Sequence, residues 1–542
     1  MGKQGGNNDR IQGSHSRRFI IIVLAAILVI AAGLRIYSLG SKSFWLDELI
    51  MRSYVGYDYH TLWTNPYLDG NISYPSIIQK FIFELLPENE FYMRLPTVLL
   101  SVISLLSIYL MGSSLYGATT GIAAALLLAF SFFHISMSQE FKLTYMATTT
   151  FYPMAIYSLF KGIERGHNRY WFLFIISLLS LLHLHFLTIP ALFPLIAWIC
   201  LLFILFLIKP AAYWEKVRGY TLSYKPFMKF AISLGLIFTG YLHVISLFSA
   251  LLKSPYGLRG GTSSDGPFRE GADAGFFFNL FKEYSGMGLL FLIFSVMILF
   301  WLFACIGKEK ERFTGGFLLS CIILPFAAYW IANPSPPLYS RYFIYILPIY
   351  LLIVARGIVL FTDLFLKRWL IRNRARLYIP LIFALCINLF SCKPLWNYYH
   401  EGRTYYEDIA LYLLNNIENK DIIFYADKDM FNIEGFLYYL DKFGKDRIFI
   451  VPQSFRHFPY PPYFFRPKDR KDLLKHGNGK KAVFLIYTGK KDVETWIKEV
   501  PPGRRLWFIS DKEEPEPLRL GLEQVKNIQD NEKFFIYSGL RD

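Results

Sequence analysis

Asp47 and Glu48 stand side by side behind the apolar run Ser43-Phe44-Trp45-Leu46. A carboxylate in aromatic surroundings can take the proton of an attacking hydroxyl, which is general-base chemistry. The same pair suits a helix N-terminus, where acids face the positive end of the helix dipole. Adjacent helical residues point about 100° apart, so only one of the two acids would face a site. A second cluster runs from His134 to Tyr145 and puts Gln139, Glu140 and Lys142 in one short turn, which also reads as a plain solvated hairpin. A third, Pro336-Pro337-Leu338-Tyr339-Ser340-Arg341-Tyr342, offers a guanidinium at the start of an apolar run. Such a group holds phosphate oxygens two at a time, and equally snorkels from a membrane helix to the interface. His183 and His185 are two positions apart on one helical stretch and point to nearly opposite sides, which makes them a poor metal pair and suits ordinary polar contacts.

The elements that must position these groups are mostly apolar. Of 542 residues, 54% are hydrophobic, 18% aromatic and only 18% charged, against about 25% charged in soluble domains. The charge is uneven. The stretch 393–542 holds 25 of the 57 basic and 23 of the 41 acidic residues, so nearly all of the net +16 falls in the first 392. This excludes a wholly soluble enzyme, a disordered chain and a fibrous protein. It also removes the nucleic-acid reading of the net charge, because the excess lies in the membrane part. The five cysteines lie in or at the ends of apolar runs and form neither a disulfide framework nor a zinc ribbon pattern.

A spanning helix needs roughly 20 apolar residues. Such runs are expected near 19–39, 95–114, 119–137, 144–160, 170–188, 190–208, 228–250, 287–306, 315–332, 341–361 and 377–392, eleven in all. Deep charges are nearly absent from them on this reading, which weighs against an ion-coupled transporter. With a cytoplasmic N-terminus the inside segments hold 19 basic residues and the longer outside loops nine, as the positive-inside bias requires. The first run is too long for a cleaved leader and reads as an anchor. An odd number of spans then places the tail outside the cytoplasm. The expected fold is an α-helical polytopic membrane protein, 1–392, followed by an extracytoplasmic α/β domain, 393–542. In the first long outside loop, Asp47–Trp63 and Pro75–Leu86 suit interfacial amphipathic helices. The second, Leu251–Gly286, opens Gly-rich and reads either as a lid or as a disordered loop. In the tail, helices are predicted at Tyr405–Ile417 and Ile433–Phe443. Strands are predicted at Ile422–Tyr425, Ile448–Val451, Val483–Tyr487, Leu506–Ile509 and Phe534–Tyr537, and a loop at Phe455–Pro467.

Four segments, in order, resemble a known family. Leu34-Arg35-Ile36-Tyr37-Ser38-Leu39 through Phe44-Trp45-Leu46-Asp47-Glu48 is similar to the start of GT-C glycosyltransferases. The branch resembled is that of the dolichyl-phosphate-mannose–protein mannosyltransferases and the bacterial aminoarabinose transferase. Tyr74-Pro75-Ser76 and then Arg94-Leu95-Pro96 resemble its His-Pro-Pro and Arg-Leu-Pro pattern, with Tyr74 standing where the family has histidine. Phe132-Phe133-His134 through Gln139-Glu140 and Tyr145 resembles its second external loop. Arg341-Tyr342 through Leu347-Pro348 resembles its late Arg-Tyr…Leu-Pro helix start.

The resemblance implies a polyprenyl-phosphate sugar as donor, with its phosphate at the outer face of the plasma membrane, and a protein, lipid or glycan as acceptor. It implies one displacement that inverts configuration, with membrane lipids rather than nucleic acid as surroundings. In that frame Asp47 is the general base, and Arg341 and Lys142, with Tyr342, hold the leaving phosphate. Glu48 and Glu140 orient the acceptor or bind a divalent cation. Trp45, Tyr74, Gln139 and His185 contact substrate. Mg²⁺ or Mn²⁺ suits hard oxygen ligands, but the sequence demands no metal. Two other readings stay open. A lipid-linked saccharide flippase would need a central polar path. A non-catalytic anchor for the tail would leave the outer acids without a shared purpose.

Overall fold

The computed structural model describes residues 5–64, 67–68, 71–72, 74–209, 223–253, 274–286, 288–332, 339–368, 375–400, 406–418, 421–426, 432–444, 447–450, 481–487, 505–510, 523–528 and 534–540. The chain forms two compact units. One comprises Met1–Leu39, Tyr59–Pro87 and Tyr92–Tyr398, and the other Gly40–Asp58, Glu88–Phe91 and Tyr399–Asp542.

The first unit is a bundle of apolar helices. Seven described helices are long and apolar enough to cross a membrane: Arg18–Ile36, Glu90–Tyr116, Thr188–Ile208, Gly288–Gly307, Glu311–Ile331, Ser340–Phe365 and Tyr378–His400. An eighth arises if Ala118–Ala129 and Phe132–Ser138, which meet at a 61° bend, count as one broken span. Three further expected spans form helices of another character. Asn168–Leu184 has 17 residues, which at 1.5 Å each reach only about 26 Å. Leu143–Arg165 buries four threonines and two tyrosines among its aliphatic residues. Lys225–Lys253 has lysines in its first turns. The Gly-rich start of the second long loop lies outside the described residues, whereas Phe276–Phe281 lies within the helix Ala274–Ser285.

At the centre runs Leu347–Arg368, predominantly apolar and buried over most of its length, as a helix surrounded by other helices must be. Gly357 permits its closest crossing: a Cβ there would lie 2.0 Å from the Met297 carbonyl oxygen. Gly112 and Gly121 make a similar crossing between Glu90–Tyr116 and Ala118–Ala129, since a Cβ on Gly121 would lie 2.6 Å from the Tyr109 carbonyl oxygen. Small residues at such crossings let backbones pack in the absence of a hydrophobic drive between helices. Two guanidiniums, Arg35 and Arg356, sit inside this apolar bundle, a correction to the expectation of nearly charge-free spans. Each is engaged. Arg356 pairs with Glu311 and covers the Tyr116 ring at 5.0 Å, and the Trp301 indole N–H donates to the Tyr116 hydroxyl at 3.2 Å.

The second unit is built on a six-stranded sheet. Its strands are β3 (Ile422–Ala426), β4 (Arg447–Ile450), β5 (Lys481–Tyr487), β6 (Arg505–Ser510), β7 (Glu523–Ile528) and β8 (Phe534–Leu540), in the order β4-β5-β3-β6-β8-β7. Before them, β1 (Tyr67–Leu68) and β2 (Asn71–Ile72) form a small hairpin in the first unit. The first four strands of the six run parallel, and β8 and β7 close the edge antiparallel. Strands form at each of the five predicted runs, and β7 is an addition. The predicted loop Phe455–Pro467 lies outside the described residues. The helices Tyr406–Asn416 and Asn432–Phe443 flank β3 in sequence. Buried Asp421 opens β3 and accepts hydrogen bonds from the Trp507 indole and the Glu418 backbone, both at 2.9 Å.

Two segments from early in the chain belong to this unit and bring charge with them. Arg52 pairs with Glu88 at 2.7 Å and Lys442 with Glu90 at 2.6 Å. Ser43 donates to Glu407 at 3.5 Å. Burial raises the Glu407 carboxyl above its ordinary value, and the neighbouring Glu90 charge adds to the rise.

Two outcomes are expected. Gly357→Ala should lower the melting temperature in detergent, because backbone must shift to admit the methyl. Gly316→Ala, on a helix with nothing within 4 Å of the new Cβ, should be neutral or should stabilise by up to ~1 kcal/mol. Equal melting temperatures for the two would remove the close crossing. For Glu407, a raised folded-state pKa favours the protonated form, so its stabilising contribution is complete at acid pH and is lost as pH rises through the folded value. Glu407→Gln, which stays neutral, should therefore be more stable than the parent at pH 7. The difference should vanish below pH ~4. A constant difference across that range would remove the electrostatic account.

Candidate active site

The acid pair occupies the first turn of the helix Leu46–Val55 in the sheet-bearing unit. Trp45 is its N-cap. The Glu48 carboxylate, fully buried, reaches back to accept the Trp45 backbone N–H at 3.1 Å. That is the reciprocal half of a capping box, in which a glutamate three positions into the helix satisfies an N–H that the helix itself cannot. Asp47, rotated about 100° from it, is half-buried. The two readings of the pair thus divide between its members: Glu48 does the capping, and Asp47 is the acid whose position is compatible with chemistry.

The other candidates lie in the helical unit. The turn Gln139–Lys142 follows a break in the backbone. Ala118–Ala129 stops, and after Phe130 and Ser131 the chain restarts as Phe132–Ser138. Arg35, near the end of the first helix, serves that break. Its guanidinium donates to the carbonyls of Leu128 and Ala129, both at 3.1 Å, and to Ala31 at 3.0 Å. It also donates to His134 Nδ1 at 2.8 Å. Arginine only donates, so Nδ1 must accept and the ring proton sits on Nε2. Nε2 faces the Ser104 hydroxyl at 3.0 Å, whose own proton is given to the Ser101 carbonyl at 2.6 Å. The donor sequence is therefore consistent from Arg35 through His134 to Ser101.

Gln139 returns the service. Its amide donates to the carbonyls of Arg35 at 2.9 Å and Tyr37 at 2.8 Å, which close the first helix. The residue expected to touch substrate thus places its amide nitrogen on backbone. Arg94 adds a bond to the Leu39 carbonyl at 2.9 Å. Gln79, fully buried, donates to the Phe141 carbonyl at 3.3 Å, between Glu140 and Lys142. Glu140 is itself fully buried.

The cationic candidates each stand against aromatic rings. Lys142 lies within electrostatic range of His185 and over the Tyr145 ring at 5.1 Å. The His185 ring packs on Tyr342 at 5.3 Å. Arg341 stands over Tyr342 at 5.8 Å and over Tyr339 at 4.4 Å. His185, Tyr342 and Arg341, chosen separately from the sequence, thus form one run of ring contacts, with Lys142 in electrostatic range of its His185 end. His183 turns away from this run, with its ring against Tyr74 at 5.2 Å and Tyr241 at 5.4 Å. An apolar cavity of about 570 Å³ opens beside it, lined by Tyr74, Ile78, Leu100, Phe151 and His183 among others. Its wall includes Leu143 and Leu184, the sequence neighbours of Lys142 and His185. Among the described residues no three His, Cys, Asp or Glu side chains gather to hold a metal ion.

Sequence reasoning missed Arg35 and Gln79. Arg35 stood inside the first family-like segment, four residues inside the end of an apolar run, but with no role attached to it. Gln79 had no signal beyond a polar residue on an amphipathic helix.

Comparison with known proteins agrees with this architecture. Residues 74–214 match the family profile of dolichyl-phosphate-mannose-protein mannosyltransferases. The structure of ArnT from Cupriavidus metallidurans in the apo state is similar over 97% of this chain and 98% of its own, with a TM-score of 0.57 and 11% identity. The structure of that ArnT bound to undecaprenyl phosphate is similar over 96% and 98%, with a TM-score of 0.52 and 12% identity. At these identities the likeness is one of fold. No curated protein matches the chain by sequence. The chain therefore has the fold of ArnT, and its residues 74–214 match the profile of the dolichyl-phosphate-mannose-protein mannosyltransferases.

Proposed function

We propose that this protein is an inverting glycosyltransferase that moves a sugar from a polyprenyl-phosphate donor to a hydroxyl or amine of a protein, lipid or glycan. The observation that carries this reading is the contact run His185–Tyr342–Arg341, with Lys142 in electrostatic range of His185, beside an apolar cavity whose wall includes Leu143 and Leu184. A long apolar tail with one anionic head is the ligand chemistry that such a juxtaposition suits. The family match and the fold of ArnT support it. The acceptor heteroatom attacks the anomeric carbon and gives its proton to Asp47. The bond from that carbon to the phosphate oxygen breaks, and the polyprenyl phosphate leaves against Arg341 and Lys142, whose charges stabilise what develops on it. Glu140 orients the acceptor, and Trp45 and Tyr74 contact the sugar. The reading further holds that the chain crosses a plasma membrane eleven times. The acids and the domain from residue 393 onward then lie outside the cytoplasm.

Purified protein incubated with a panel of radiolabelled polyprenyl-phosphate sugars tests the reaction, and no transfer from any donor would end the reading. With an active donor in hand, Asp47→Asn should lower turnover by roughly 10²–10⁴-fold, the usual loss for a general base. Glu48→Gln keeps an oxygen for the capping bond and should cost far less. The opposite order would exchange their roles. Arg341→Ala should weaken donor affinity by ~1.5–3 kcal/mol, the worth of a charged hydrogen bond, and Arg341→Lys should recover only part of that. An unchanged donor affinity would leave Arg341 as an interfacial residue.

Sidedness is testable in intact cells. Single cysteines at Ser41, which is exposed, and at Ser454 in a cysteine-free background should react with a membrane-impermeant maleimide, and one at Ser16 should not. Labelling at Ser16 with protection at Ser41 would put the acids on the cytoplasmic side and remove the lipid-donor mechanism.

A further inference from the structure

Tyr439 lies on the helix Asn432–Phe443 and is fully buried. Its hydroxyl oxygen accepts the backbone N–H of Phe44 at 2.6 Å, and its proton goes to Glu90 at 2.9 Å. Lys442, one turn away, holds Glu90 at 2.6 Å and so keeps a charged acceptor in front of the phenol. The Phe44 ring packs against Tyr438 at 5.7 Å. All of these groups belong to the sheet-bearing unit. Their donor order runs one way only, from Phe44 N–H to the Tyr439 hydroxyl to the Glu90 carboxylate, with Lys442 behind. Bonds in such a series polarise and strengthen one another.

Phe44 directly precedes the N-cap Trp45, and the residue in that position sets the angle at which the chain enters a helix. Asp47 lies three residues on. We propose that Tyr439 is a positioning residue for the Asp47 carboxylate: its hydroxyl fixes the start of the acid-bearing helix, so the tail governs the aim of a group near the other end of the sequence. This rests on the reading of Asp47 as the base. A misplacement of about 1 Å at a reacting group can cost 10²-fold in rate, and a hydroxyl that clamps a helix entry acts on that scale.

The test uses the full-length protein. Tyr439→Phe keeps the ring and removes both hydrogen bonds. Turnover should fall about 10- to 100-fold, while KM for the lipid donor stays as in the parent. Amide hydrogen exchange over Phe44–Glu48 should quicken. A purely structural role would instead lower the amount of folded protein and leave turnover per folded molecule unchanged. Parent-like turnover together with parent-like exchange would overturn the proposal. Should Tyr439→Phe not fold, Lys442→Gln leaves both phenol bonds in place but unloads Glu90. It should show a smaller fall in turnover, which Lys442→Arg restores, and parent-like turnover in Lys442→Gln would overturn the proposal in its turn. If the parent transfers no sugar at all, the functional reading fails, and exchange over Phe44–Glu48 in Tyr439→Phe still decides whether the hydroxyl holds the helix entry.

Discussion

The bundle depends on one guanidinium. Carbonyls released by a broken helix cannot turn to water inside a bilayer, and each one left bare costs several kcal/mol. The chain nevertheless stops a helix at Ala129 and restarts it at Phe132, which is what allows the Gln139–Lys142 turn to form where it does. Arg35 makes that affordable by bonding the carbonyls of Leu128 and Ala129, and Gln139 bonds the carbonyls that end the helix carrying Arg35. The exchange is mutual, so neither helix end can be rearranged without exposing the other. The ring of His134 and three carbonyls in turn receive protons from both terminal nitrogens of the buried arginine.

Much of this was legible in the sequence, and the rest was hidden for identifiable reasons. Strands β3, β4, β5, β6 and β8 each contain a dense apolar run, which is the local mark of a buried strand. The strand β7, Glu-Gln-Val-Lys-Asn-Ile, lies at the sheet edge, where polar residues are the rule, and so carries no such mark. Asp47 and Glu48 could be seen as a pair but not told apart, because their roles depend on which one turns back to the Trp45 N–H. Lys142, Arg341 and Tyr342 were legible as types suited to a phosphate, and His185 as a substrate contact. The packing of His185 on Tyr342 was not legible, since nothing local in the sequence ties residue 185 to residue 342.

The largest departure from a linear reading concerns the first long loop. A division at residue 392 follows from charge density, which changes there. The compact units divide otherwise, with Gly40–Asp58 and Glu88–Phe91 grouped with the tail. The amphipathic stretch Asp47–Trp63 is accordingly two helices, Leu46–Val55 and Tyr59–Thr64, one in each unit. Gly56 and Asp58, poor helix formers both, stand between them and mark the break in hindsight. Charge density reports exposure to water and says nothing of which segments pack together.

The hydrogen bond from Phe44 to Tyr439 spans 395 positions of sequence, and that separation has a consequence in time. A ribosome adds ~5–20 residues per second. Between the emergence of the acid-bearing segment and that of its partner helix, roughly 20–80 s of synthesis must pass, during which every membrane helix between them is made and inserted. Throughout that interval Asp47 belongs to a segment whose clasp has not been translated. A nascent chain, or one cut short before Asn432, therefore carries the whole helical bundle with the start of its acid-bearing helix unclasped, and the closing bonds form only as the last fifth of the protein arrives.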